Sequence, residues 1–126
     1  IGDALIRPTK IYVKPIMKLL ESVEVKGISH ITGGGFYENI PRSVPDGKTA
    51  VIDRKDVRVL PLFDVIKTTG QLTDEEMFNT FNMGVGMTVT VSKYDADKAV
   101  EILKSCGEEA YILGYIENGS EKLILK

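Results

Sequence analysis

The stretch Met87–Ile116, MTVTVSKYDADKAVEILKSCGEEAYILGYI, decides the fold. Met87 to Val91 alternates apolar and polar residues, the period of a strand with one buried face. Tyr94 to Cys106 has helical spacing, and Asp95 or Asp97 stands near its start, where an acid meets the positive end of the helix dipole. Ala110 to Ile116 reads as a second strand, and Leu123 to Leu125 adds a short last one. A strand, a helix and a strand within about 30 residues predict a split βαβ unit of the ferredoxin-like kind.

Upstream, the apolar residues Ile16, Met17, Leu19, Leu20 and Val23 recur at helical spacing and predict a helix over 11–23, with Pro15 near its first turn. Gly27 to Thr32 alternates as a strand and breaks at three consecutive glycines, Gly33–Gly35. Phe36 to Arg42 begins a short helix that stops at Pro41 or just past it. Pro45-Asp46-Gly47 is a turn, and Thr49 to Asp53 a short strand. Pro61 opens a helix over Leu62–Thr69 that Gly70 closes. Thr73 and Glu76 form a capping box, Met77, Phe78 and Phe81 supply the buried stripe behind it, and that helix ends near Met83-Gly84. Strands and helices without regular alternation predict an α+β domain, a mixed β-sheet covered by helices.

The 126 residues fit one domain, large enough to hold a core without staples. Apolar residues at 43% and charged residues at 27% place the chain among ordinary globular proteins. A net charge of −2, with 16 bases and 18 acids well mixed, excludes a nucleic-acid module, which concentrates Lys and Arg. No run approaches the roughly 18 apolar residues of a membrane span. Cys106, the one cysteine, cannot form an internal disulfide, which predicts a cytoplasmic chain; it reads as a half-buried small hydrophobe, not a nucleophile, because Glu108 and Glu109 are its neighbours. A start at Ile1 without methionine reads as a piece cut from a longer chain, or as processing.

The strongest chemical offer is HITGGGFYENIPR, His30–Arg42. It lacks the Lys-Ser/Thr ending of a P-loop and the spacing of the dinucleotide fingerprint. It does carry the Thr32 hydroxyl, the backbone amides of Gly33, Gly34 and Gly35, the Asn39 amide and the Arg42 guanidinium, a donor set suited to a phosphate. A strand-to-helix turn tight for steric reasons uses the same glycines, and residue types leave both readings open. His30, the only histidine, excludes a site built on several histidines; it is either packed in its strand or in contact with substrate. In Phe81-Asn82-Met83-Gly84-Val85-Gly86-Met87 the glycines read as a helix cap with a close backbone crossing, and Asn82 as a group lining a pocket shared with the first glycine loop. Asn118-Gly119-Ser120 is a hairpin turn. The scattered acids offer no tight pair for carboxylate catalysis or for a magnesium cage, so no metal ligand and no catalytic residue is assigned.

Three blocks in order, PTKIYVKP at Pro8–Pro15, HITGGGFYENIPR at His30–Arg42 and TFNMGVGM at Thr80–Met87, resemble the C-terminal domain of the phosphoribosylformylglycinamidine cyclo-ligase, or aminoimidazole ribonucleotide synthetase, family; AYILGYI at Ala110–Ile116 matches less strictly. The resemblance implies a single domain over 1–126, the second of a two-domain enzyme of purine biosynthesis. There an ATP-dependent step phosphorylates the formyl oxygen of formylglycinamidine ribonucleotide, an amidine nitrogen attacks and phosphate leaves. It further implies ATP and Mg²⁺ in the full-length enzyme but neither bound by this piece alone, and an N-terminal domain, absent from these 126 residues, that supplies the ATP- and metal-binding acids. Formylglycinamidine ribonucleotide and ATP are then the ligands, the full-length enzyme a homodimer, and the isolated domain inactive. Thr32, Gly33, Gly34, Gly35, Asn39 and Arg42 fall on the loop implied to bind a phosphate of substrate or nucleotide, with His30 and Asn82 behind it. Ser29 stands where alanine is common in the family, and Tyr115 where an acid is frequent. Kinases and synthetases of the same superfamily, or a non-catalytic module that binds a small ligand or assists assembly, are the alternative readings.

Overall fold

In a computed structural model of the chain, which describes residues 2–126, the elements run in order α1 (Gly2–Leu5), α2 (Val13–Leu20), β1 (Val25–His30), α3 (Gly35–Asn39), β2 (Lys48–Ile52), α4 (Pro61–Gly70), α5 (Asp74–Thr80), β3 (Met87–Val91), α6 (Ala96–Ser105), β4 (Gly114–Asn118) and β5 (Leu123–Leu125). Short 3-10 turns follow α3 at Ile40–Ser43 and β2 at Arg54–Asp56. Ile1, on which the reading of the chain's start rests, lies outside the described residues. The architecture is α+β with mixed pairing: β1 pairs with β3, while β2 lies between β4, antiparallel to it, and β5, parallel to it. The residues gather into two compact units, and the chain passes between them four times, after Pro8, within β1 after Ile28, within β3 after Thr88, and after Ile112.

Among the described residues the larger unit comprises 2–8, 29–88 and 113–126. Its central strand is β2, where Thr49, Ala50, Val51 and Ile52 are all buried, so both faces are covered as a run of apolar and β-branched residues requires. Ala50 stands opposite Ile116 on one side and Leu123 on the other. Phe36, Ile40, Val44, Val57, Met77, Phe78, Met83 and Val85 complete the core, with the Phe36 and Phe78 rings edge to face at 4.9 Å. The capping box forms as read: the Glu76 N–H donates to Thr73 Oγ1 at 3.1 Å and the Thr73 N–H to Glu76 Oε2 at 2.8 Å. Behind it Met77 and Phe78 are buried, while Phe81 is only half-buried. Helix α5 stops at Thr80, short of Met83-Gly84, because Phe81 takes an extended backbone conformation; Met83 and Gly84, with positive φ, form the turn that follows. Pro61 opens α4 as predicted, but the left-handed residue that ends it is Gln71, with φ 54°, not Gly70.

The smaller unit comprises 9–28 and 89–112. Leu19 and Val23, at the end of α2 and just beyond it, meet Ala99 of α6, and Val25, Val89, Val91, Ile102 and Leu103 pack around them. Helix α2 is shorter than the predicted 11–23, because Tyr12 sits at its N-cap and the chain turns at Glu21. Its other stripe, Val13, Met17 and Leu20, is exposed. Helix α6 ends in a two-bond cap: Gly107, with φ 86°, donates to the Lys104 carbonyl at 3.0 Å, and Glu108 to that of Leu103 at 3.1 Å. Cys106, read as half-buried, is exposed there. Lys10 pairs with Glu108 at 2.9 Å.

The strand–helix–strand stretch departs from its reading at one end. β3 pairs with β1 and β4 with β2, so the strands flanking α6 lie in different sheets and do not make a ferredoxin-like split βαβ unit. β4 starts at Gly114, not at Ala110. At Gly114 a Cβ would run into the Val51 carbonyl oxygen, so close pairing with β2 begins where the side chain vanishes.

Candidate functional site

The loop Ile31–Gly34 joins β1 to α3 within the larger unit. Ile31 anchors it: the side chain is buried and the N–H donates to the Gly86 carbonyl at 2.9 Å, so the first and second glycine blocks meet through one backbone bond. Asn39 then fastens the loop from inside. Its Oδ1 accepts from the Thr32 N–H at 2.5 Å and from Thr32 Oγ1 at 3.1 Å, and its Nδ2 donates to the Gly33 carbonyl at 3.2 Å. With 2% exposure and both ends of the amide engaged, Asn39 clamps the loop.

The three glycines are there for three different reasons. Gly35, with φ 61°, is buried, and a Cβ would collide with the Phe78 carbonyl oxygen and lie 2.8 Å from that of Phe81, so α3 crosses the end of α5 backbone to backbone. Its N–H donates to the Thr32 carbonyl at 3.0 Å. Gly34, with φ 96°, lies against the Glu38 side chain. Gly33 is exposed, with nothing within 4 Å of where its Cβ would be. Among the described residues, the Gly33 and Gly34 amides have no backbone acceptor. The segment thus combines tight backbone packing at Gly35 with two amides, at Gly33 and Gly34, that no backbone carbonyl engages among the described residues.

Arg42, on the 3-10 turn after α3, is exposed, and its Nη2 donates to Glu38 Oε1 at 2.7 Å. Glu38 is the residue sequence reasoning passed over, although its spacing of four before Arg42 signals a helical ion pair. His30 stands exposed at the end of β1, so it is not packed away in its strand. Asn82 builds its own turn: Oδ1 accepts from the Gly84 N–H at 2.9 Å and the carbonyl from the Val85 N–H at 2.9 Å. The close backbone crossing read at this block is present at Gly84, where a Cβ would lie 3.2 Å from the Arg58 carbonyl oxygen.

The family departure at Ser29 is locally satisfied, since its buried Oγ donates to Ser43 Oγ at 2.6 Å. Tyr115, the other departure, is exposed on β4. Backbone amides and a guanidinium are donors of the kind that suit a phosphoryl group. They do not suit magnesium: among the described residues no three His, Cys, Asp or Glu side chains gather as a metal site.

Residues 1–126 match the family model described as AIR synthase related protein, C-terminal domain. The chain belongs to this family. Among curated relatives of this C-terminal domain, it is 49% identical over 126 residues to the phosphoribosylformylglycinamidine cyclo-ligase of Caldicellulosiruptor saccharolyticus, covering 100% of this chain and 37% of that protein. Cyclo-ligases of Alkaliphilus metalliredigens and Fusobacterium nucleatum are each 48% identical over 125 residues, 99% of this chain, and the match spans 36% and 37% of those proteins. The AIR synthase C-terminal domain thus spans little more than a third of the length of the curated relatives it matches, and no helix among its described residues is long and apolar enough to cross a membrane.

Proposed function

We propose that this domain is the C-terminal part of a phosphoribosylformylglycinamidine cyclo-ligase and that Gly33, Gly34 and Arg42 hold the phosphate of its ribonucleotide, with Thr32 and Asn39 bracing the loop behind them. The observation that carries the reading is the loop itself. Asn39 and Gly35 fix its rear, and the Gly33 and Gly34 amides are left without a backbone acceptor in an exposed loop that lies close in the chain to a guanidinium. Such a surface binds a phosphate through backbone donors set before the ligand arrives, and Arg42 adds charge-assisted bonds.

ATP, when bound, supplies the phosphoryl group that turns the formyl oxygen into a leaving group. The acids that hold ATP and its magnesium belong, in this reading, to the N-terminal domain, which acts from the cytoplasmic homodimer. This domain's own task is to bind and orient the ribonucleotide, so that the formyl carbon and the attacking amidine nitrogen are held together. His30 forms a wall of the same surface.

Two experiments test the reading. The full-length enzyme turns over, whereas residues 1–126 alone do not; cyclo-ligase turnover by the isolated chain refutes the division of labour. Arg42→Ala in the full-length enzyme raises KM for the ribonucleotide about tenfold or more, the loss of a charge-assisted phosphate contact. Unchanged kinetics would remove the phosphate role.

A further inference from the structure

Resting on the phosphate reading, we propose that Glu38 is an internal competitor for Arg42, an anion supplied by the chain itself that an incoming phosphate must displace. Two contacts of one carboxylate carry this. Glu38 Oε1 accepts from Arg42 Nη2 at 2.7 Å. The other half of the side chain lies over Gly34, where an added Cβ would strike Oε2 and lie 2.6 Å from Cδ. The carboxylate therefore engages the guanidinium and at the same time lies against the Gly34 Cα.

A carboxylate and a phosphate present similar pairs of oxygens to a guanidinium, and Arg42 cannot give both its best geometry. Both partners are more than half exposed, with side-chain exposures of 67% for Arg42 and 56% for Glu38, so the pair is weak and easily exchanged. A doubly charged phosphate displaces a singly charged carboxylate from such a pair, whereas a neutral or singly charged ligand does so poorly. Glu38 thereby discriminates in favour of phosphorylated ligands and keeps Arg42 aligned while the site is empty.

The test uses the full-length enzyme with inorganic phosphate and with the ribonucleotide as probes. Glu38→Gln keeps the shape and removes the charge, and it tightens both probes about two- to fivefold. The gain depends on Arg42: in an Arg42→Ala background, Glu38→Gln gives no tightening. Glu38→Asp keeps the charge on a shorter arm and releases Arg42 only in part, giving an intermediate gain. If Glu38→Gln leaves binding unchanged or weakens it while Arg42→Ala weakens it, the competitor role is overturned and the phosphate reading stands. Equal tightening with and without Arg42 also overturns it, because Glu38 then acts by repulsion alone. If Arg42→Ala changes nothing, the phosphate reading fails first.

Discussion

At the scale of the residue, the glycine loop separates steric need from chemical offer. Gly35→Ala forces a left-handed alanine into the Phe78 carbonyl, backbone that cannot move aside, and should lower stability by about 2 kcal/mol or more. Gly33→Ala, with open space around it, should stay within about 0.5 kcal/mol. Melting temperatures of the two variants in the full-length protein check this, and similar shifts would contradict it. Asn39→Ala strips the acceptor from the Thr32 N–H and should cost about 1–3 kcal/mol. The glycines and the Arg42 guanidinium were legible in the sequence because their chemistry is intrinsic. The role of Asn39 was not, because its partners, Thr32 and Gly33, are set by how the loop folds back, and an amide suits a ligand or a backbone equally well.

At the scale of the element, the same contrast runs between local and distant causes. The capping box of α5 was readable because Thr73 and Glu76 are three residues apart and need only each other. The start of β4 was not, because it is decided by the Val51 carbonyl on a strand far back in the chain. The early end of α5 escaped for a related reason, since Asn82 and Gly84 close a turn that helical periodicity does not report.

Helices α4 and α5 are also joined by charge: Lys67 Nζ donates to Asp74 Oδ1 at 2.5 Å, and Arg54 lies 3.7 Å from Oδ2. The hydrogen bond from Lys67, then the nearby cations, hold the Asp74 carboxyl below its ordinary 3.8. A depressed folded value means that the clamp contributes in full above the unfolded pKa and is lost as pH falls through the folded one. Asp74→Asn should therefore lower stability near neutral pH and match the parent protein at pH below that window. Acid denaturation at low salt reads the difference, and a gap that stays constant into strong acid would contradict it.

At the scale of the whole molecule, the α+β class and the family were legible, the class from periodicity and the family from blocks spread across the chain. The pairing of strands was not, because it assigns β3 and β4 to separate sheets although only α6 and a short connection lie between them. That result matters for function. The glycine loop, the turn that carries Arg42 and the end of α5 that braces Gly35 all belong to one compact unit. A surface formed this way can be complete for binding while the chemistry depends on groups elsewhere in the enzyme.

The most direct test of that claim is to titrate the full-length enzyme and its Arg42→Ala variant with the ribonucleotide and with the corresponding riboside, which lacks only the phosphate. Arg42→Ala should weaken the ribonucleotide about tenfold or more and leave the riboside unchanged. Equal losses for the two ligands, or none for either, would contradict the assignment of this loop to the phosphate.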